Sequence, residues 1–287
     1  MWFLFIVMPI LSVIKVTTQG RFSQKNIKTF SDVLLYNTAV YFFSALVLAV
    51  IFLRVMPPVE VWLYALIGAV GSILMQSFYT LAYKHGPITP TVIINSFNII
   101  IPITAGFIFF NEKWSSLTAF GLILMGIAFY LVPARNNDKK INSKWLFYVI
   151  ATFILTGLYG VLTLFFSKSE FSSWQNEYIT LTVFIAGIFC SLLTLFNVKV
   201  RKDFITIKKQ SKLPLIALVI GSAIGIYNIL NVIAFKYYPS YVVTPIVSGT
   251  IMVLTMVVNS ILNKEFPTKK MIIGVIAAVI SIVLLNI

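Results

Sequence analysis

Along the 287-residue chain, apolar runs of about 17 to 24 residues alternate with short breaks marked by proline or by clustered polar residues. Runs of that length cross a bilayer core about 30 Å thick when coiled as α-helix. Lipid offers backbone groups no partner, so the runs must be helical. The pattern predicts ten spans, at 2–18, 33–53, 61–83, 88–110, 116–133, 146–166, 177–197, 214–235, 240–262 and 269–286. Pro57, Pro58, Pro87, Pro133, Pro214, Pro239 and Pro267 fall at or near boundaries, where proline stops or starts a helix. The expected fold class is an all-α integral membrane protein.

A two-helix cassette is written twice within this pattern. Ala82-Tyr83-Lys84-His85-Gly86-Pro87 returns 152 residues later as Ala234-Phe235-Lys236-Tyr237-Tyr238-Pro239. Each copy runs on to a glutamate, Glu112 or Glu265, and then to Gly121 or Gly274 in one more apolar helix. A duplicated unit of this kind is the building block of many transporter folds. The reading is a first five-helix repeat over 1–133, a linker over 134–144 and a second five-helix repeat over 145–287. Five is odd, so the second repeat must enter the membrane inverted.

Charge tests that expectation, because equivalent loops then lie on opposite faces. The first loop holds Arg21, Lys25 and Lys28, against Lys168 alone in its counterpart. The second holds only Arg54, against Lys199, Arg201, Lys202, Lys208, Lys209 and Lys212. All but four of the 22 Lys and Arg (Arg54, Lys113, Lys168 and Lys236) belong to odd-numbered loops, with Lys15 counted as snorkelling from the end of the first span. The positive-inside rule puts the odd loops in the cytoplasm and both termini outside, in a multi-pass plasma-membrane protein.

Composition agrees. The chain is 59% hydrophobic and 10% charged, where a soluble domain is about 25% charged. A net charge of +14 would suggest nucleic acid in a soluble protein, but here the cations sit between spans and set topology. The expected partners are the lipid bilayer and a small-molecule substrate, with no nucleic acid; oligomeric state is left open. Cys190 reads as a packing residue, and Met1-Trp2-Phe3 lacks the basic start of a signal peptide, so the first helix stays.

Enzyme chemistry has little to build on. No carboxylate stands at the centre of a predicted span, and His85 is the one histidine. No metal cluster, no histidine dyad and no cofactor are expected. The interiors carry uncharged polar groups at helical spacing. Gln76, Tyr79 and Tyr83 share one face of the third span, and Asn228, Asn231 and Phe235 hold the same places in the eighth. Asn95 and Asn98 follow Thr91 in the fourth; Thr244 and Ser248 lie in the ninth; Tyr41 and Tyr159 add hydroxyls. Amides in membranes commonly glue helices together. Their recurrence at repeat-equivalent places equally fits a substrate chamber at the repeat interface. Lys84 and Lys236 fall at opposite mouths as gate or entrance residues, a role weighed against plain topology.

Ala82-Tyr83-Lys84 with Glu112 and Gly121, and Ala234-Phe235-Lys236 with Glu265 and Gly274, make the chain resemble the drug/metabolite transporter superfamily, of the EamA type. The resemblance spans essentially the whole chain. It implies ten helices around a central cavity with the third, fourth, eighth and ninth near the axis, and alternating access, often for export. It usually also implies both termini in the cytoplasm, opposite to the charge count. The function expected is a secondary or facilitative transporter, an exporter, of a small polar or zwitterionic metabolite. The alternative is a membrane-embedded, vitamin-capturing subunit driven by a separate energising partner.

Overall fold

The computed structural model describes residues 2–52, 55–110, 115–131, 142–196, 212–238, 240–263 and 266–285. The linker from 134 to 141, most of the 199–212 connection and the turns carrying Glu112 and Glu265 lie outside the described residues. The helices are α1 (Leu4–Asn26), α2 (Phe30–Phe52), α3 (Val59–His85), α4 (Ile88–Ser96), α5 (Ile100–Phe110), α6 (Ser116–Leu131), α7 (Ser143–Ser167), α8 (Gln175–Phe196), α9 (Leu213–Tyr237), α10 (Ser240–Asn263) and α11 (Lys269–Leu285). Among the described residues, seven helical stretches are long and apolar enough to cross a membrane, with α4 and α5 counted as one. Most boundaries fall within a few residues of those expected from hydropathy.

The first helix differs. It runs to Asn26 and not to residue 18, which puts Lys15 at its midpoint and not near its end. Hydropathy falls after Val16, but Gln19 and Arg21 reach partners on neighbouring helices, so the helix continues. Gln19 Nε2 donates to Thr80 Oγ1 of α3 at 3.2 Å. Thr17 donates to its own helix at the Val13 carbonyl, 2.6 Å away. Gly20 lets Ile88 of α4 sit so close that a Cβ there would lie 2.4 Å from Ile88 Cδ1.

The fourth span also differs, being broken at its middle. A 3₁₀ turn, Phe97–Ile99, separates α4 from α5. Pro102 cannot donate to the Asn98 carbonyl, and its ring crowds that carbonyl, so the α-ladder tightens one turn upstream. The Asn98 side chain donates to the Asn95 carbonyl inside the turn.

Packing links the first five spans to the last five throughout. α1 packs on α9 and α10, while α7 packs on α3 and on the α4–α5 span. α2 packs on α9, and α8 on α3. α2 meets α8, α4 meets α10, and α6 pairs with α11. One end of the bundle carries Arg21, Lys25, Lys28, Lys84, Lys144, Lys212, Lys269 and Lys270, and is called the basic end below.

Candidate functional site

Two aromatic corners frame the bundle interior. At the basic end, Phe22 of α1 stacks on Tyr36 of α2, with ring centroids 5.4 Å apart and planes 23° apart. That pair packs on Ala217 and Ile220 of α9. Toward the opposite end, Phe166 of α7 stacks on Tyr178 of α8 at 4.3 Å and 16°, and packs with Val61 and Ala65 of α3. Tyr36-Asn37-Thr38 and Tyr178-Ile179-Thr180 share a spelling, and Ala65 and Ala217 are separated by the interval that separates Lys84 and Lys236.

Between the corners lies a group of polar side chains from α1, α2, α3 and α4. The Tyr36 hydroxyl stands beside the Gln76 amide. Tyr79 meets Tyr83 edge-on, with ring centroids 4.8 Å apart, and its hydroxyl faces Asn95. Asn37 Nδ2 donates to Ser77 Oγ at 2.9 Å, and Thr156 of α7 donates to Asn95 Oδ1 at 3.2 Å. Gln19 Oε1, Tyr36 Oη, Asn37 Oδ1, Gln76 Nε2 and Tyr83 Oη are buried, and among the described residues none makes a well-formed hydrogen bond, although Tyr36 stands beside Gln76 and Tyr83 beside Tyr79. A buried polar atom left unpaired costs about 1–3 kcal/mol. Several in one neighbourhood of a folded protein call for an explanation.

The basic end is cross-tied over this group. Asn259 Nδ2 of α10 donates to Thr89 Oγ1 of α4 at 3.1 Å, and Trp145 Nε1 of α7 donates to Thr91 Oγ1 at 2.8 Å. Gln24 Nε2 donates to the Gly86 carbonyl at 3.1 Å, and the Arg21 guanidinium donates to the Leu262 carbonyl. The Trp145 indole lies on Gly86 so closely that a Cβ there would sit 2.1 Å from Trp145 Cδ1. Toward the opposite end the contacts described are largely aromatic: Trp2 and Phe5 against Tyr238, Tyr64 against Phe166 and Phe110 against Phe165.

The sequence profile of the EamA-like transporter family matches residues 143–287. The chain belongs to that family. It is therefore a multi-pass membrane transporter of small molecules. A solved crystal structure of another protein resembles this EamA-like chain over 98% of its length and 94% of that protein's, with TM-score 0.64 and 12% identity, which speaks to the fold alone. No curated protein matches the sequence.

The expected site residues of this EamA-like transporter fall into three sets. Gln76, Tyr79, Tyr83 and Asn95 converge in the central group. Asn228 and Asn231 on α9 and Ser248 on α10 are partly exposed and make no hydrogen bond to a described residue. Three others have different surroundings. The Tyr41 hydroxyl donates to the Ser72 carbonyl at 2.7 Å. Tyr159 lies with Tyr178, which also neighbours Thr163 and Thr182. The Asn98 amide is engaged by the 3₁₀ turn. Lys84 Nζ donates to the Lys28 carbonyl at the basic end. The side chains of Thr244 and Lys236 lie outside the described residues. No group of three or more His, Cys, Asp or Glu that could hold a metal stands among the described residues.

Sequence reasoning passed over Gln19, Tyr36, Asn37, Ser77 and Thr80. The first looked like loop, because hydropathy ended the helix before it. For Tyr36 a signal existed: the Tyr-x-Thr spelling repeated in the second and seventh spans.

Proposed function

We propose that the protein is a secondary or facilitative transporter of a small polar or zwitterionic metabolite in the plasma membrane, working by alternating access between two inverted five-helix repeats. The observation that carries the reading is the set of unpartnered buried polar atoms on Gln19, Tyr36, Asn37, Gln76 and Tyr83, enclosed within the bundle. Such atoms are costly unless a solute completes their hydrogen bonds.

The repeat reading is supported by an exchange of halves that carries one packing onto another. It turns α1–α9 into α7–α3, α2–α9 into α8–α3, and α1–α10 into α7 with the α4–α5 span. It leaves α2–α8, α4–α10 and α6–α11 as self-related pairs. Moving Lys15 out of the first loop leaves the charge bias intact, so the basic end faces the cytoplasm. The structure is then the state shut on that side, and export requires its ties to part.

Flux through the purified chain in proteoliposomes tests the proposal. Solute movement by the protein alone is expected. The paired substitutions Gln76→Leu and Asn228→Leu should abolish it while expression and monodispersity hold. Undiminished flux in that double variant would remove the chamber assignment.

A further inference from the structure

We propose that Lys15 is the anion-recognition group of the chamber and that the transported solute carries a single carboxylate. This rests on the transport reading above and adds the charge type of the substrate.

Lys15 stands at the midpoint of α1. Ionisable residues within a membrane span characteristically face the bundle interior or a water-filled cavity. The neighbours show which way this one faces. Ile6, Ile10 and Ile14 form the lipid stripe of α1, at 63%, 44% and 40% exposure. Leu4, Met8, Gln19 and Phe22 share the Lys15 side of the helix and are 0–5% exposed. Lys15, on that packed side, is nonetheless partly exposed. The packed face opens at its position.

Two ties fix its level. The Gln19–Thr80 hydrogen bond joins α1 to α3. The two helices run in the same direction, so one turn back along each brings Lys15 level with Gln76. Toward α9, Met8 shares an apolar cluster with Tyr227, Leu230 and Ala234, while Phe22 shares one with Ala217 and Ile220. Lys15, halfway between Met8 and Phe22, stands opposite the stretch around Ala223, little more than a turn before Asn228. It thus lies between Gln76 and Asn228, the two amides that occupy equivalent places in the repeated cassette.

No described acid neutralises it. Asp32, Glu60 and Glu177 lie in the first turns of α2, α3 and α8, and Glu170 lies in the connection before α8. A single monovalent cation at mid-membrane is balanced by a single monovalent anion; a phosphate dianion would leave net negative charge behind. The unpartnered Gln76 Nε2 and the Tyr36 and Tyr83 hydroxyls are donors that suit the same carboxylate.

The test uses the full chain purified in detergent. Its thermal stabilisation and calorimetric affinity are measured with L-leucine, L-phenylalanine and L-lactate, with the matching amides, and with inorganic phosphate. At least one carboxylate should bind, with its amide about 10-fold weaker or worse. Lys15→Met should weaken the carboxylate by about 10- to 100-fold and leave the amide unchanged, and Lys15→Arg should restore binding. Equal binding of acid and amide, preference for phosphate, no binding by any carboxylate, or wild-type affinity in Lys15→Met each overturns the proposal. The acid-against-amide comparison needs no variant, so it holds even where Lys15→Met fails to fold. Carboxylate-selective binding without flux would defeat the transport reading and leave Lys15 standing. Flux of a carboxylate solute unchanged by Lys15→Met would do the reverse.

Discussion

Phe22 on Tyr36 at the basic end, and Phe166 on Tyr178 toward the other, use the same residue types to join a helix to its successor, but they are finished by different means. The Tyr178 corner is closed by shape: its rings are 4.3 Å apart, and Gly68 makes room for the tyrosine, since a Cβ there would lie 3.1 Å from Tyr178 Oη. The Tyr36 corner is looser, at 5.4 Å, has Ile220 packed against it, and lies beneath a set of side-chain hydrogen bonds. Close packing through small residues is one way helices hold together in a membrane. Interhelical hydrogen bonds contribute about 0.6–2 kcal/mol each and can be exchanged one by one. On the transport proposal, the hydrogen-bonded basic end is the one that parts and re-forms.

The largest test of that contrast is Gly86→Leu, which forces the Trp145 indole from its seat and should destabilise the protein by roughly 3 kcal/mol, seen as a lowered melting temperature in detergent. Gly126→Leu is the control: a Cβ there meets nothing within 4 Å, and its melting temperature should not move. Next come Asn259→Leu and Trp145→Phe, each removing one tie across α4 at about 0.6–2 kcal/mol. Either should speed labelling of a Thr91→Cys or Thr89→Cys reporter by a membrane-impermeant maleimide, whichever tie the reporter leaves in place. Cys190 is buried and stays silent. Unchanged labelling in both backgrounds would mean that these bonds do not hold the end shut. Gly68→Ala, at the shape-closed corner, should cost about 1 kcal/mol and leave that labelling unaltered. The smallest stability effects belong to Tyr36→Phe and Tyr178→Phe, within about 1 kcal/mol, because neither hydroxyl makes a well-formed hydrogen bond among the described residues. Flux should separate them, falling in Tyr36→Phe and persisting in Tyr178→Phe.

Hydropathy placed most helix ends well, because a membrane span is defined by what lipid tolerates. It misplaced the end of α1, where Gln19 and Arg21 are tolerated by neighbouring helices and Gln24 by the Gly86 carbonyl, and not by lipid; a sum of transfer energies carries no record of such neighbours. The same blindness hid Lys15, whose position at the end of a short span became the middle of a longer one. The cassette spacing singled out Gln76 and Asn228 as a pair before any geometry. It could not tell which hydroxyls would be satisfied locally: Tyr41 and Tyr83 look alike in sequence, yet one donates to a backbone carbonyl and the other makes no well-formed hydrogen bond among the described residues.

The break at Phe97–Ile99 divides the fourth span into pieces anchored separately. Beyond the break, Ile101 and Pro102 are wedged against Gly157 and Gly160 of α7, where a Cβ would come within 2.2 Å and 3.2 Å of them. Before it, the nine residues of α4 receive side-chain hydrogen bonds from Trp145 and Thr156 of α7 and from Asn259 of α10, the Thr156 bond falling at Asn95 beside the break. On the transport proposal, uncovering the mouth at the basic end asks only a short lever to swing about a ready-made fulcrum, while the rest of the bundle keeps its grip on the bilayer.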